Sequence, residues 1–219
     1  MAALSYLAPM PSPDALKTPT AMFACTALLR ASTLALLVTP LAACAQADGS
    51  LPPVPSPSAT SLVFGGVTYV HRWSHEGQHE FTPEGDDDLD RWTDMVTINV
   101  HEGVRDGDQL AAVANGVLAN YEGAGEVLRT DSRPRTESAP AEHFIAAVLG
   151  SAAFLEAAFA RVMLVEGTGV VVVYSHRVYG EPAGPAMSAW LGERGQASEE
   201  TLMGWGGAPA ALEALSAGG

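Results

Sequence analysis

The residues His75-Glu76-Gly77-Gln78-His79 match H-E-x-x-H, the spacing of zinc peptidases. On a helix, histidines at i and i+4 share one face and ligate zinc, while the glutamate serves as general base. His71 stands four residues upstream, so His71, His75 and His79 form a candidate metal set. The surrounding residues oppose a helix there. Gly77 is central, Pro83 follows, and VTYVHRW upstream has the character of a strand. In an extended chain the two imidazoles diverge or meet across a Glu76-Gly77 turn. A zinc-dependent hydrolase is therefore the alternative reading of the function, and no third-ligand motif accompanies it downstream.

The acidic run Asp86, Asp87, Asp88, Asp90 and Asp94 begins with the alternation of a calcium loop. Arg91 stands where such a loop needs glycine and Thr97 where it needs a bidentate glutamate. The run reads instead as a solvated loop that leads into a turn carrying Leu89 and Trp92.

Polar residues inside apolar segments are the third candidate. Glu156 interrupts FLEAAFARVML, and Ser175, His176 and Arg177 interrupt VVVYSHRVYG. Two hairpin registers, offset by two residues, put Glu156 opposite or diagonal to Arg177 on one face. Arg161 falls on the other face with Tyr174 and His176. A buried charge is costly unless paired. These residues are therefore either internal props or, with His143, the lining of a polar pocket at the open end of a sheet. The candidate pocket set is His143, Glu156, Arg161, Tyr174, His176 and Arg177. No nucleophile elbow, S-x-x-K pair, phosphate loop or dinucleotide fingerprint occurs, so no catalytic set and no cofactor is assigned.

The elements that must position these side chains are legible in part. Leu110, Val113, Ala114, Val117, Leu118 and Tyr121 recur at helical spacing. Asp106 or Asp108 caps the start of that helix, and Gly123 or Gly125 ends it. Met95–His101, His143–Leu149, Leu155–Val165 and Val170–Tyr179 read as strands, the last two joined by Glu166-Gly167-Thr168-Gly169 as a hairpin. Pro185–Trp205 reads as helix in two pieces broken near Gly195, with Ser198 capping the second.

The two hairpin strands are apolar on both faces, which calls for helices on both sides of the sheet. The expected fold is α+β: an antiparallel sheet of five or six strands in an α/β/α sandwich. In topology this resembles the PsbP-like architecture, which serves several unrelated binding proteins and by itself implies no function.

The chain has 219 residues, 47% of them hydrophobic and 16% charged, with 11 basic against 25 acidic side chains. A core of domain size is affordable, and no basic face exists for nucleic acid. Arg30 precedes an apolar stretch, Ala31 to Ala43, too short to span a bilayer of about 30 Å but suited to a signal peptide. It closes with Leu41-Ala42-Ala43-Cys44, which resembles the lipobox of bacterial lipoproteins. The resemblance implies cleavage before Cys44, lipidation of its sulfur and acylation of the new N-terminus. Several acyl chains hold a protein durably where one does not. Ala45, rather than an aspartate, after the cysteine implies the outer membrane of a Gram-negative cell; Asp48 comes too late to retain the protein elsewhere.

Cys25 falls in the leader, so the mature chain has no second thiol for a disulfide. The expected organisation is a leader over 1–43, a lipidated Cys44 with a Pro/Ser-rich tether over 44–60, and one periplasmic domain over 61–219. From Cys44 onward there are nine arginines and no lysine, so the lipid anchor, not charge, holds the chain to the membrane. The expected function is a non-catalytic domain that binds an envelope protein or a small ligand.

Overall fold

β-branched and apolar runs alternate with Gly-containing turns along most of the chain. The computed structural model, which describes residues 60–137 and 139–217, places these runs in eight strands and three helices. The leader 1–43, Cys44 and the tether through 59 lie outside the described residues. In chain order the elements are β1 (Ser61–Phe64), β2 (Val67–His75), β3 (Gln78–Pro83), β4 (Asp94–His101) and α1 (Gly107–Ala124). There follow β5 (Gly125–Arg133), β6 (Glu142–Gly150), β7 (Phe154–Val165), β8 (Thr168–Tyr179), α2 (Ala183–Gly204) and α3 (Ala208–Ala217).

All eight strands join one antiparallel sheet in the order β1-β2-β3-β4-β8-β7-β6-β5. The expectation of five or six strands is corrected to eight. The two unforeseen outer elements are β1, only four residues long, and β5, GEVLRTDSR. The polar half of β5 is exposed, so it lacks the apolar alternation that reveals a buried strand.

The helix α1 starts where Asp106 accepts a bond from the Gln109 amide, and its C-cap is Gly125. The C-terminal helix departs from expectation. α2 runs unbroken through Gly195, and Ser198 lies inside it rather than at a cap. A mid-helix glycine costs about 1 kcal/mol in isolation. Here Gly195 is buried, in line with Met187 and Leu191 four residues apart, and the packing of that stripe offsets the cost. Among the described residues no helix is long and apolar enough to cross a membrane.

The core divides into two clusters. Phe81, Val96, Ile98, Phe144, Phe159 and Val172 pack with Met187, Leu191 and Leu202 of α2. Ile145, Ala160, Val162 and Val171 pack with Leu110 and Ala114 of α1. Successive strand residues point to opposite sides, so β7 gives Phe159 to one cluster and Ala160 to the other.

One charge is buried within the larger cluster's side. Arg161 is 8% exposed. Its Nε and Nη2 donate to the Glu142 carboxylate at 3.0 and 2.8 Å. Its Nη1 donates to the carbonyls of Leu202 and Trp205 at 3.1 and 2.8 Å. Those carbonyls end α2, whose last turn has no basic residue of its own. Arg161 therefore satisfies acceptors that every helix leaves open and meets the negative end of its dipole from the sheet. Arg161→Ala should lower the unfolding free energy by about 3–5 kcal/mol, because it removes the buried partner of the Glu142 carboxylate and takes a donor from the Leu202 and Trp205 carbonyls. Chemical denaturation measures this. A loss below about 1 kcal/mol is the range of an exposed pair and would contradict the clasp.

Candidate functional site

The H-E-x-x-H segment is a hairpin tip. β2 and β3 pair with His75 opposite Gln78 and Ser74 opposite His79, leaving Glu76 and Gly77 as the two turn residues. Both have positive φ, 47° and 80°, as a tight turn matching the strand twist requires. Gly77 tolerates no Cβ, which would lie 2.8 Å from the Val100 carbonyl oxygen. The histidines thus share no helix face, and the zinc-peptidase arrangement does not form.

A bulge between His71 and Trp73 regroups the imidazoles. Nε2 of His71 and Nδ1 of His79 each lie 2.7 Å from Oγ of Ser74. His75 instead stands beside Trp73, ring centroids 5.9 Å apart. The three candidate metal residues therefore do not converge. Desolvation holds the pKa of His71 and of His79 below the ordinary value, and the nearby His71 lowers that of His79 further. The lowered values favour neutral rings, and two neutral imidazoles can bracket one hydroxyl.

The acidic run is consumed by its own loop. Asp86 accepts from the Thr93 amide, Asp88 from the Asp90 amide, and Asp87 lies 3.6 Å from Arg72. Among the described residues no three His, Cys, Asp or Glu side chains are grouped to hold a metal.

The six residues expected to line one polar pocket are separated instead. Glu156 and Arg177 do face each other across β7 and β8, with Nε of Arg177 2.8 Å from Oε2 of Glu156. The guanidinium is sandwiched between Trp92 and Phe154, 3.8 and 3.9 Å from their ring centroids. Tyr174 and His176 project to the other side with Arg161. The Tyr174 hydroxyl donates to Asp94 at 2.7 Å, and Nδ1 of His176 meets the same oxygen at 3.0 Å. The His176 ring stacks on Trp190 at 4.1 Å and 3°. Burial, and then the Asp94 charge, push the Tyr174 phenol well above its usual range. His143 lies opposite Val162, six positions along β7 from Glu156, and bonds Ser132 Oγ at 3.0 Å. As the registers implied, the pleat keeps Glu156 and Arg177 on one side and Arg161, Tyr174 and His176 on the other, and strand length sets His143 apart from Glu156.

A concave site does exist, at the end of the sheet where the β2–β3 and β7–β8 turns meet the β4–α1 turn and α3. Each of these turns contains a Glu-Gly pair: Glu76-Gly77, Glu102-Gly103 and Glu166-Gly167. With Glu213 of α3 the three glutamates border an open groove of about 1500 Å³. Val100, Val165, Leu212 and Leu215 supply apolar lining, and His79 reaches its edge. Arg105 also borders it, but its Nη1 is committed to Gly167 O and Thr168 Oγ1, at 3.2 and 2.8 Å. The repeated Glu-Gly pairs were the available sequence signal; only antiparallel connectivity gathers them.

Two outcomes test these assignments. Arg177→Ala and Glu156→Ala should each cost about 3 kcal/mol, and the double variant less than their sum by about 1–3 kcal/mol. Strictly additive losses would refute the pairing, and wild-type stability with lost ligand or partner binding would make these residues a site. Because the folded pKa values of His71 and His79 lie below 6.5, the folded chain binds fewer protons than the unfolded chain below that pH. Their contribution is full above pH 6.5 and is lost as pH falls through the lowered values. Urea midpoints should drop with acidification, and His71→Gln with His79→Gln should flatten the profile. His101, also lowered by burial, retains a share of it.

No family model matches the chain, and no curated protein matches it. Among solved structures it is similar to the Ran-binding protein Mog1p of Saccharomyces cerevisiae, at 15% identity and a TM-score of 0.40. That match covers 67% of this chain and 92% of the other. It is also similar to a mutant of the protein Mog1, at 13% identity and a TM-score of 0.39 over the same shares.

Proposed function

We propose that this chain is an outer-membrane lipoprotein, anchored through Cys44, whose periplasm-facing domain binds an envelope protein or a small ligand. The observation that carries the anchor is Leu41-Ala42-Ala43-Cys44 closing an apolar run behind Arg30. The Pro-rich residues that follow suit a tether that holds the domain away from the lipid surface. Binding rather than catalysis is supported by how the polar strand residues are spent. Arg161, Arg177, Tyr174 and His176 tie helices and loops to the sheet instead of converging on one point. The groove at the Glu-Gly turns is the face we assign to binding. The two core clusters draw on opposite parities of β7, which supports an α/β/α sandwich with helices on both faces.

Cys44→Ala should abolish incorporation of labelled palmitate and move the protein from the membrane to the soluble fraction. Continued labelling, or membrane retention through another segment, would refute the lipoprotein reading.

A further inference from the structure

The groove at the Glu-Gly end of the sheet has the composition of a docking surface with a defined electrostatic preference. Its volume, about 1500 Å³, exceeds the roughly 300–1,000 Å³ of small-molecule sites and suits a length of chain. Val100, Leu212 and Leu215, each half-buried, give it apolar ground, and Val165 is buried beneath them. Glu76, Glu102, Glu166 and Glu213 stand around that ground, all exposed. Among the described residues only Glu76 of these four has an ion-pair partner, His75 at 3.6 Å. The C-terminal turns of α3 also border the groove, and the last turn carries no basic residue to meet the negative end of the helix dipole. Arg105, the cation at this end, is turned to the β7–β8 hairpin.

We propose that this groove receives a cationic amphipathic segment of a partner protein, lysine or arginine against the glutamates and apolar side chains against Val100, Leu212 and Leu215. The proposal rests on the groove's being the binding face and adds the chemistry of what it binds. An amphipathic helix in an apolar groove is a recurrent recognition mode, with anchors at i, i+3, i+4 and i+7. Complementary charge around the groove adds speed of encounter and rejection of acidic partners.

The test uses the full chain carrying Cys44→Ala and a fluorescein-labelled peptide of lysine and leucine, patterned so that a helix presents one apolar and one cationic face. Fluorescence anisotropy should show saturable binding. Glu102→Lys with Glu213→Lys should weaken it about tenfold at low salt, and the gap should close near 1 M salt, where screening shortens to about 3 Å. Both positions are exposed, so the fold should persist, which circular dichroism checks. Glu137→Lys with Glu193→Lys changes the net charge equally, away from the groove, and should leave binding within about twofold.

Equal weakening by both pairs would mean that net charge alone attracts the peptide, and overturns the proposal. So would equal binding of a lysine–serine peptide, or of the glutamate–leucine counterpart. These results are independent of palmitate labelling, so loss of the docking chemistry and loss of the anchor can be told apart.

Discussion

Strands β7 and β8 are apolar on both of their sides, and a sheet built around such strands must be covered to be stable. Ala157, Phe159, Val170 and Val172 share a cluster with residues of α2, and Ala160, Val162 and Val171 share one with residues of α1. The energy at stake is the burial term, about 25 cal/mol for each Å² of apolar surface removed from water. Small residues in β7 at 157, 158 and 160 leave room for close approach. Nearly every other feature follows from that cover. A helix laid across a sheet brings its open carbonyls into the interior, and Arg161 is the donor that meets them.

The same constraint decides which polar groups the interior admits. Arg177 is enclosed between two aromatic rings and bonded to Glu156, so its charge is met by a carboxylate and by two π faces. His176 is stacked on Trp190 and held by Asp94, which also takes the Tyr174 hydroxyl. These groups resemble catalytic residues in type. Their neighbours show them acting as fasteners between sheet, loop and helix.

The open groove lies instead at one end of the sheet. In an antiparallel sheet, alternate turns emerge at the same end, so turns far apart in sequence become neighbours. Here that rule brings Glu76, Glu102 and Glu166 around one groove beside α3. The hairpin tip itself is held in place by the bond from the Val100 amide to the Gly77 carbonyl, 2.8 Å long.

By itself the sequence determined what depends on short-range periodicity and turn chemistry. Helix α1, with Asp106 as one of two candidate caps, the apolar strands β4, β6, β7 and β8, and a shared face for Glu156 and Arg177 were all legible this way. Gly77 and Pro83 already opposed a helical metal site. The Cys44 motif is legible in sequence alone, since it lies outside the described residues.

Tertiary structure decided the rest. β5 is half solvent-facing and is a strand because β6 offers it an edge. α2 passes through Gly195 because packing of the stripe around it outweighs the local propensity to break. Connectivity gathers three glutamates from turns spread over ninety residues. Local pattern records how a segment meets water on average. Which segments meet one another is set by long-range pairing, and no window of sequence contains that.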